Sequence, residues 1–258
     1  MDPAAALARA RVLLRDAPRV LVLTGAGISA ESGVPTFRGP GGLWKDFRPE
    51  ELATPEAFGR DPRLVWEWYG WRRGLVASCE PNAGHLALAR WMVGRPGVTL
   101  VTQNVDALHE RAARTAAAAR GTDPVPALPI RLHGSIARVR CPRCRHAAEH
   151  QDPIDASTRE TLPACPACGG LLRPDVVWFG EALPAAAMER AAAAAQAADA
   201  CLVVGTAGAV QPAAGYAMTV ARRRRPLVVV DPGPTAFDGM AEVKLTGGAG
   251  AVLPPLLG

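Results

Sequence analysis

Residues 20–38, VLVLTGAGISAESGVPTFR, constrain this chain more than any other stretch, because they join a short apolar run to a glycine-rich turn. The run 20–23 reads as a buried strand ended by Thr24 and Gly25. Gly25-Ala26-Gly27-Ile28-Ser29-Ala30 then fits the strand–turn–helix pattern G-x-G-x-x-G/A, whose glycines permit a tight turn and close backbone approach to a pyrophosphate. The pattern is short, and apolar strands also run into glycine turns that hold no ligand. A dehydrogenase would place an acidic residue roughly 20 positions further on, at the end of a second strand, to hold a ribose. Here that region has Asp46, Glu50 and Glu51 among Pro49 and Pro55, a spacing that makes no parallel strand. The turn therefore reads as part of a nucleotide binder wired differently from a dehydrogenase.

Downstream the hydrophobic pattern alternates. A helix over 83–91 with Asn82 as its cap, a strand over 98–102, a helix over DALHERAARTAAAAR and a short strand at 130–132 come first. A helix over 184–198, a strand over 201–204, a helix over 212–224, strands over 227–230 and 242–245 and a short final helix complete the series. This order predicts an α/β fold: a Rossmann-like parallel sheet with helices on both faces. At 258 residues the chain is expected to be a single domain with a smaller insert. The large part is assigned to 1–37, 84–137 and 171–258, and a small module to a helical segment, 38–83, and a cysteine-rich insert, 138–170. Trp66, Trp68 and Trp71 crowd VWEWYGWRRGLV, where some of the aromatics must be core.

Hydrophobic residues make up 49% of the chain, yet no apolar run approaches the length that spans a bilayer, and the first residues have no signal-type apolar core. A cytoplasmic protein is expected, a monomer without membrane contacts. AAALARARVLLRD reads as a first helix rather than an arginine-rich transit segment. The net charge of +5 suits anionic ligands without requiring nucleic acid. The arginine run 222–225 falls at a helix end, where cations complement the macrodipole and stay solvated.

Cys141-x-x-Cys144 and Cys165-x-x-Cys168 have the spacing of two knuckles closing one tetrahedral zinc site. A disulfide framework is the competing reading. Without a secretory signal, and with Cys79 and Cys201 scattered elsewhere, zinc is favoured. Four thiolates leave no open coordination position, so His146 and His150 are not needed as ligands and the metal is structural.

In open parallel sheets ligands lie beyond the carboxyl ends of the strands, and polar groups recur there. Gln103, Asn104 and Asp106 follow one strand, His133 another, Gly205-Thr206 a third and Asp231 a fourth. Asn104 and Asp106 also suit helix capping. His133, in L-H-G-S, suits general-base work because an imidazole titrates near neutrality.

At this point the motifs resemble a family. GAGISAESGVPTFRGPGGLW, TQNVDALHERAA, LHGS, the two C-P-x-C knuckles, RPDVVWFGE and VVGTAGAVQPAA stand in the order and spacing of the sirtuins, the NAD-dependent protein lysine deacylases, over nearly the whole chain. The resemblance implies that NAD is a co-substrate and that acyl-lysine proteins are the partners. It implies His133 as the catalytic base. Cofactor contacts are implied at Gly25, Ala26, Gly27, Glu31, Thr36, Phe37, Arg38, Trp44, Gln103, Asn104, Asp106, Gly205, Thr206, Ala207, Asp231 and Ala249. Tyr69 and Arg72 are similar to the Y-x-x-R pair of the class III, sirtuin-5-like branch, which grips the terminal carboxylate of succinyl-, malonyl- or glutaryl-lysine. Ala53 matches a small residue that leaves room for the longer acyl chain. Val177 resembles the position whose backbone carbonyl holds the acylated lysine nitrogen.

Three places depart from the family pattern. Ala107 stands where many members have glycine, Ala207 and Gly208 replace the usual serines, and Asp231 takes a place commonly held by asparagine. The implied activity is protein-lysine deacylation with preference for acidic acyl groups and retained deacetylation. Mono-ADP-ribosyl transfer from the same NAD site is the alternative enzyme. A nucleic-acid-binding zinc ribbon is the alternative binder, disfavoured by Glu149, Asp152 and Asp155 in the insert.

Overall fold

The computed structural model describes residues 2–35, 47–150 and 152–258. Helix α1 (Pro3–Asp16) begins where the Asp2 carboxylate accepts the Ala5 amide at 3.2 Å, and it leads into β1 (Val20–Thr24) and the one-turn α2 (Gly27–Ala30). Three helices, α3 (Pro49–Leu52), α4 (Pro55–Arg60) and α5 (Pro62–Ser78), each start on a proline, whose missing N–H costs nothing in a first turn. Next come α6 (Ala83–Val93), β2 (Val98–Thr102), α7 (Leu108–Arg120), β3 (Ile130–Arg131), β4 (Gly134–Arg140), β5 (Ala147–Glu149) and β6 (Arg173–Val176). The chain closes with α8 (Ala185–Ala197), β7 (Ala200–Val204), α9 (Ala213–Arg222), β8 (Leu227–Val230), β9 (Val243–Leu245) and α10 (Ala249–Leu257).

Six strands form one sheet in the order β3-β2-β1-β7-β8-β9, and every pair in it is parallel. The period of two along each strand sends alternate residues to opposite faces. Val20 and Val22 of β1, with Leu202 and Val228, pack under α1, α6 and α10. Leu21 and Leu23, with Val203 and Val229, pack under α8 and α9. The alanine-rich stretches supply this second layer, where Ala191, Ala195, Ala213 and Ala217 are fully buried. Among the described residues, no helix is long and apolar enough to cross a membrane.

β5, β4 and β6 make a second, antiparallel sheet, in which Gly134–Arg140 and Arg173–Val176 flank the cysteine-rich stretch. Ile136, Val139, Leu172 and Val176 of this unit share one core with Leu52, Val65, Trp66 and Trp68 of the helical segment. Cysteine density marked the knuckles, but short strands flanking them had no composition of their own. Trp66 is fully buried and donates its indole N–H to the Leu172 carbonyl at 3.0 Å, whereas Trp71 is exposed.

Chain order reverses between β1 and β7, which makes their carboxyl ends a topological switch point. The two turns touch there. A Cβ on Gly25 would lie 2.7 Å from the Thr206 Cβ, and one on Gly27 would lie 2.7 Å from the Gly205 Cα. Gly205 itself has φ +60°, a left-handed conformation that penalises any side chain. These glycines thus serve packing of one turn on the other as well as the tight bend read from the sequence. Gly205→Ala should cost at least about 2 kcal/mol and lower Tm by about 5–10 °C, readable by calorimetry at constant protein concentration.

Candidate active site

The parallel order brings the ends of β1, β2, β3, β7 and β8 to one edge of the sheet. From β2, the Gln103 side chain donates to the Thr206 hydroxyl beyond β7 at 3.0 Å. The Gln103 carbonyl lies 2.8 Å from His133 Nδ1, just beyond β3. A carbonyl only accepts, so Nδ1 carries the proton and Nε2 keeps its lone pair. Burial holds the His133 pKa below its ordinary 6.5, partly opposed by the Gln103 hydrogen bond. The imidazole is therefore neutral at pH 7 and competent as a base through Nε2.

Arg131 and Glu110 form a sheltered ion pair at 2.6 Å. The second arm of Arg131 donates to the carbonyls of Asn104 at 3.3 Å and Gly134 at 3.2 Å, and so spans both sides of His133.

Behind this edge lies a buried polar network. Ser29 donates to Asp106 Oδ2 at 3.0 Å, while Asn104 Nδ2 donates to Ser29 Oγ at 3.2 Å. Asp106, one residue before Ala107, the N-cap of α7, accepts the Leu108 amide on Oδ1 at 3.0 Å, so one carboxylate ties the helix start to Ser29. Thr24 Oγ1 contacts both Thr102 Oγ1 at 2.8 Å and His109 Nε2 at 3.0 Å. His85 lies edge-on to His109 with ring centroids 4.9 Å apart, 3.4 Å from Ser29 Oγ, and its buried Nδ1 has no hydrogen-bond partner. Burial depresses both imidazoles, His109 well below 6.5.

The other predicted positions separate into groups. Glu31 accepts the Gly250 amide at 2.6 Å at the start of α10. Ala249 is buried against Gly84 of α6, a packing position. Ala26 accepts the Ser29 amide at 3.0 Å, Ala207 accepts the Ala236 amide at 2.9 Å, and Asp231 Oδ1 turns back to the Gly233 amide at 2.8 Å. Thr36, Phe37, Arg38 and Trp44 lie outside the described residues. Val177 donates its amide to the His133 carbonyl at 3.0 Å, and Phe179 donates to the Ala53 carbonyl at 2.9 Å. Residues 177–179 therefore bridge the catalytic edge and the helical segment. On α5, Tyr69 and Arg72 are both buried one turn apart, with the Arg72 guanidinium 5.2 Å from the Trp68 ring centre.

The four module cysteines converge as their spacing requires. Cys141 and Cys168 sulfurs are 3.6 Å apart, those of Cys144 and Cys165 are 3.5 Å apart, and all four lie within 4.8 Å of one another. Zinc–thiolate bonds of about 2.3 Å put tetrahedral sulfurs about 3.8 Å apart, so the cluster fits a zinc ion. The separations are far from the about 2.05 Å of a disulfide. The knuckles are built alike: the residue after the second cysteine is left-handed in each, Arg145 at φ 62° and Gly169 at φ 68°. The backbone amides of Cys144 and Arg143 lower the Cys141 thiol pKa, whereas the neighbouring Cys165 sulfur helps raise that of Cys144, so the two thiols of the first knuckle are driven apart.

Sequence reasoning passed over Ser29, His85 and His109. Ser29 occupies an unspecified x position of the glycine motif. The histidines lay on apolar helix faces, where an isolated imidazole reads as core. Their only signal was a shared direction, which needs the fold.

A doubly wound sheet with a neutral, oriented histidine at the carboxyl end of its edge strand β3 and a four-cysteine module define an enzyme of the nucleotide-binding α/β class. The Sir2 family model matches residues 25–212, and the chain belongs to the Sir2 family, the sirtuins. A curated relative from Pyrobaculum aerophilum, named NAD-dependent protein deacylase 2, is 48% identical over 246 residues, 95% of this chain and 92% of its own length. The crystal structure of a Sir2 homologue–NAD complex superposes with a TM-score of 0.85 at 42% identity, covering 97% of this chain and 92% of the other. A mutant Sir2 homologue bound to 2'-O-acetyl ADP-ribose also gives 0.85, at 41% identity over all of this chain and 95% of the other.

The buried histidines generate a pH prediction. Unfolded imidazoles bind protons near 6.5, whereas folding holds His85 and His109 neutral, so the unfolded state takes up more protons in acid. Their contribution to stability is complete above pH 6.5 and is lost as pH falls from there toward the depressed value of about 4 at His85. Each should add a slope of up to about 1.4 kcal/mol per pH unit. Denaturant unfolding at steps from pH 7.5 to 4.5 should show this fall, and His109→Asn should flatten it.

Proposed function

We propose that this chain is an NAD-dependent protein-lysine deacylase that favours acyl groups ending in a carboxylate, succinyl- and malonyl-lysine foremost, and retains deacetylase activity. NAD is consumed as a co-substrate, and the products are nicotinamide, O-acyl-ADP-ribose and free lysine. The observation that carries the deacylase reading is the His133 tautomer. Its Nδ1–H is committed to Gln103, so Nε2 is the atom that takes the proton from a ribose hydroxyl at the switch point. Asn104, held by Ser29 and by its own amide on Thr102 Oγ1 at 3.1 Å, orients the ribose side of the site. Val177 contributes its carbonyl to the acylated lysine nitrogen while its amide ties it to His133.

Support for acidic acyl groups comes from α5. Spacing of three places Tyr69 and Arg72 on one helix face, and both are buried. Burial lowers the Arg72 pKa, with Tyr69 and Asp106 opposing, yet a guanidinium stays charged in protein interiors. A buried cation beside a neutral phenol is a receptor for a carboxylate in an otherwise apolar slot. Ala53, on the carbonyl that receives Phe179, keeps the wall of that slot thin.

Purified protein with NAD should release nicotinamide when given succinylated, malonylated or acetylated peptides, and no release with any of them would end the proposal. Arg72→Met should lower kcat/KM for succinyl-lysine roughly 10- to 100-fold, the worth of a charge-assisted hydrogen bond, and leave deacetylation within about two-fold. Equal loss of both activities would contradict the assigned pocket. Because His133 is depressed below 6.5, the acid limb of kcat/KM should have its midpoint below pH 6.5.

A further inference from the structure

We propose that Trp178 is a specificity-determining positioning residue, whose indole N–H orients the Tyr69 hydroxyl so that the phenolic proton is presented to the terminal carboxylate of an acidic acyl-lysine. The inference rests on the acidic-acyl reading above and adds the residue that makes Tyr69 a directed donor.

Trp178 Nε1 lies 2.9 Å from Tyr69 Oη. An indole N–H can only donate, so the phenolic oxygen is the acceptor and Tyr69 keeps its own proton to give elsewhere. Among the described residues that hydroxyl makes no other hydrogen bond, although Tyr69 is only 2% exposed. A buried donor whose proton has no acceptor is costly in a folded protein, and it marks a place where a ligand supplies the acceptor. Burial pushes the Tyr69 pKa up to about 12, so the group offers a proton throughout the neutral range and does not repel an anion. Arg72, one turn along the same face, supplies the positive charge.

A lone phenol is free to point its O–H to either side in the ring plane, because hydroxyl hydrogens rotate to suit their surroundings. Trp178 removes one of the two choices. Its own direction is fixed from several sides. The Arg173 guanidinium lies over its ring at 3.2 Å, Phe58 packs at a tilt with centroids 5.4 Å apart, and its main-chain amide donates to Glu181 Oε2 at 2.8 Å. Glu181 in turn accepts from Arg173 at 2.5 and 3.0 Å and from Arg140 at 3.0 Å, and Arg173 donates to the Val176 carbonyl at 2.6 Å. The indole therefore cannot swing away without leaving the Arg173 guanidinium and the Phe58 ring, and the main-chain bond to Glu181 fixes the backbone that carries it. Trp178 also directly follows Val177, so the residue at the lysine nitrogen and the residue orienting the far acyl end belong to one rigid step of chain.

The test is steady-state kinetics of Trp178→Phe, Tyr69→Phe and the double variant on matched succinyl and acetyl peptides with saturating NAD. Trp178→Phe keeps an aromatic ring under Arg173 and removes the N–H together with part of the indole's bulk, so the acetyl peptide reports any loss of packing. It should raise KM for the succinyl peptide about ten-fold with little change in kcat, and leave the acetyl peptide within two-fold. In the Tyr69→Phe background it should change the succinyl-to-acetyl ratio no further. An unchanged ratio in Trp178→Phe, or additive losses in the double variant, would overturn the inference. If Trp178→Phe does not fold, the indole N–H resonances decide: Tyr69→Phe must move the Trp178 signal upfield, and an unmoved signal overturns the proposal. The broader reading fails separately, if the unaltered enzyme shows no preference for succinyl over acetyl or Arg72→Met lowers both alike.

Discussion

The contact between two side-chain-free turns at the switch point sets the geometry on which the candidate site depends. Gly25 donates to the Val204 carbonyl at 3.1 Å and Gly27 to the Gly205 carbonyl at 2.9 Å, so the turn after β1 is hydrogen-bonded to the turn after β7. Only residues without Cβ allow that approach. It puts Thr206 where Gln103 can reach it, and the same Gln103 offers its carbonyl to His133. A side chain wedged at Gly27 would therefore act on His133, two strands away, through the orientation of the Gln103 residue.

A second constraint is the interior behind that edge, where Thr24, Ser29, His85, Asn104, Asp106 and His109 are all buried. Burying so many polar groups is unfavourable unless they satisfy one another, and here they nearly do. The result is a set of side chains with few alternative arrangements, which suits groups that must hold Asn104 still. The unpartnered Nδ1 of His85 is the exception in this network. Among the described residues no atom pairs with it, while the other ring nitrogen lies 3.4 Å from Ser29 Oγ.

The sheet and its helices were legible because their signals are local. Strands rich in β-branched residues at 98–102 and 227–230 and caps such as Asn82 are written in neighbouring residues. The zinc cysteines were legible for a similar reason, since knuckle spacing is set by the metal. The small antiparallel sheet was not, because β4 and β6 pair across more than thirty residues of insert and β4 carries a shift in register between Ser135 and Val139. His85 and His109 were illegible for a stronger reason. Each is alone on its own helix, and only the packing of α6 on α7 makes them neighbours. Trp178 was readable as part of a motif, but its direction toward Tyr69 joins residues more than a hundred positions apart.

The metal module and the acyl pocket are joined by a short mechanical path, although a four-thiolate site has no open position for chemistry. Cys165 pairs its amide with the Gly170 carbonyl, and Leu172 returns to the Pro163 carbonyl at 2.8 Å, which closes the second knuckle onto the strand leading into β6. The Leu172 carbonyl then receives the Trp66 indole, and Trp66 lies on α5 one turn before Tyr69. Arg173, the first residue of β6, pairs with Glu181, and just beyond the other end of the strand Trp178 reaches Tyr69. Two routes from one metal knuckle thus meet at a single phenol, one along α5 and one along β6. For the pocket proposed at Tyr69 and Arg72, a flexible acyl chain needs two walls held at a fixed separation, and both walls draw on one shared core. Two routes to it from the sulfur cluster are a physical reason for a structural metal to stand beside such a pocket.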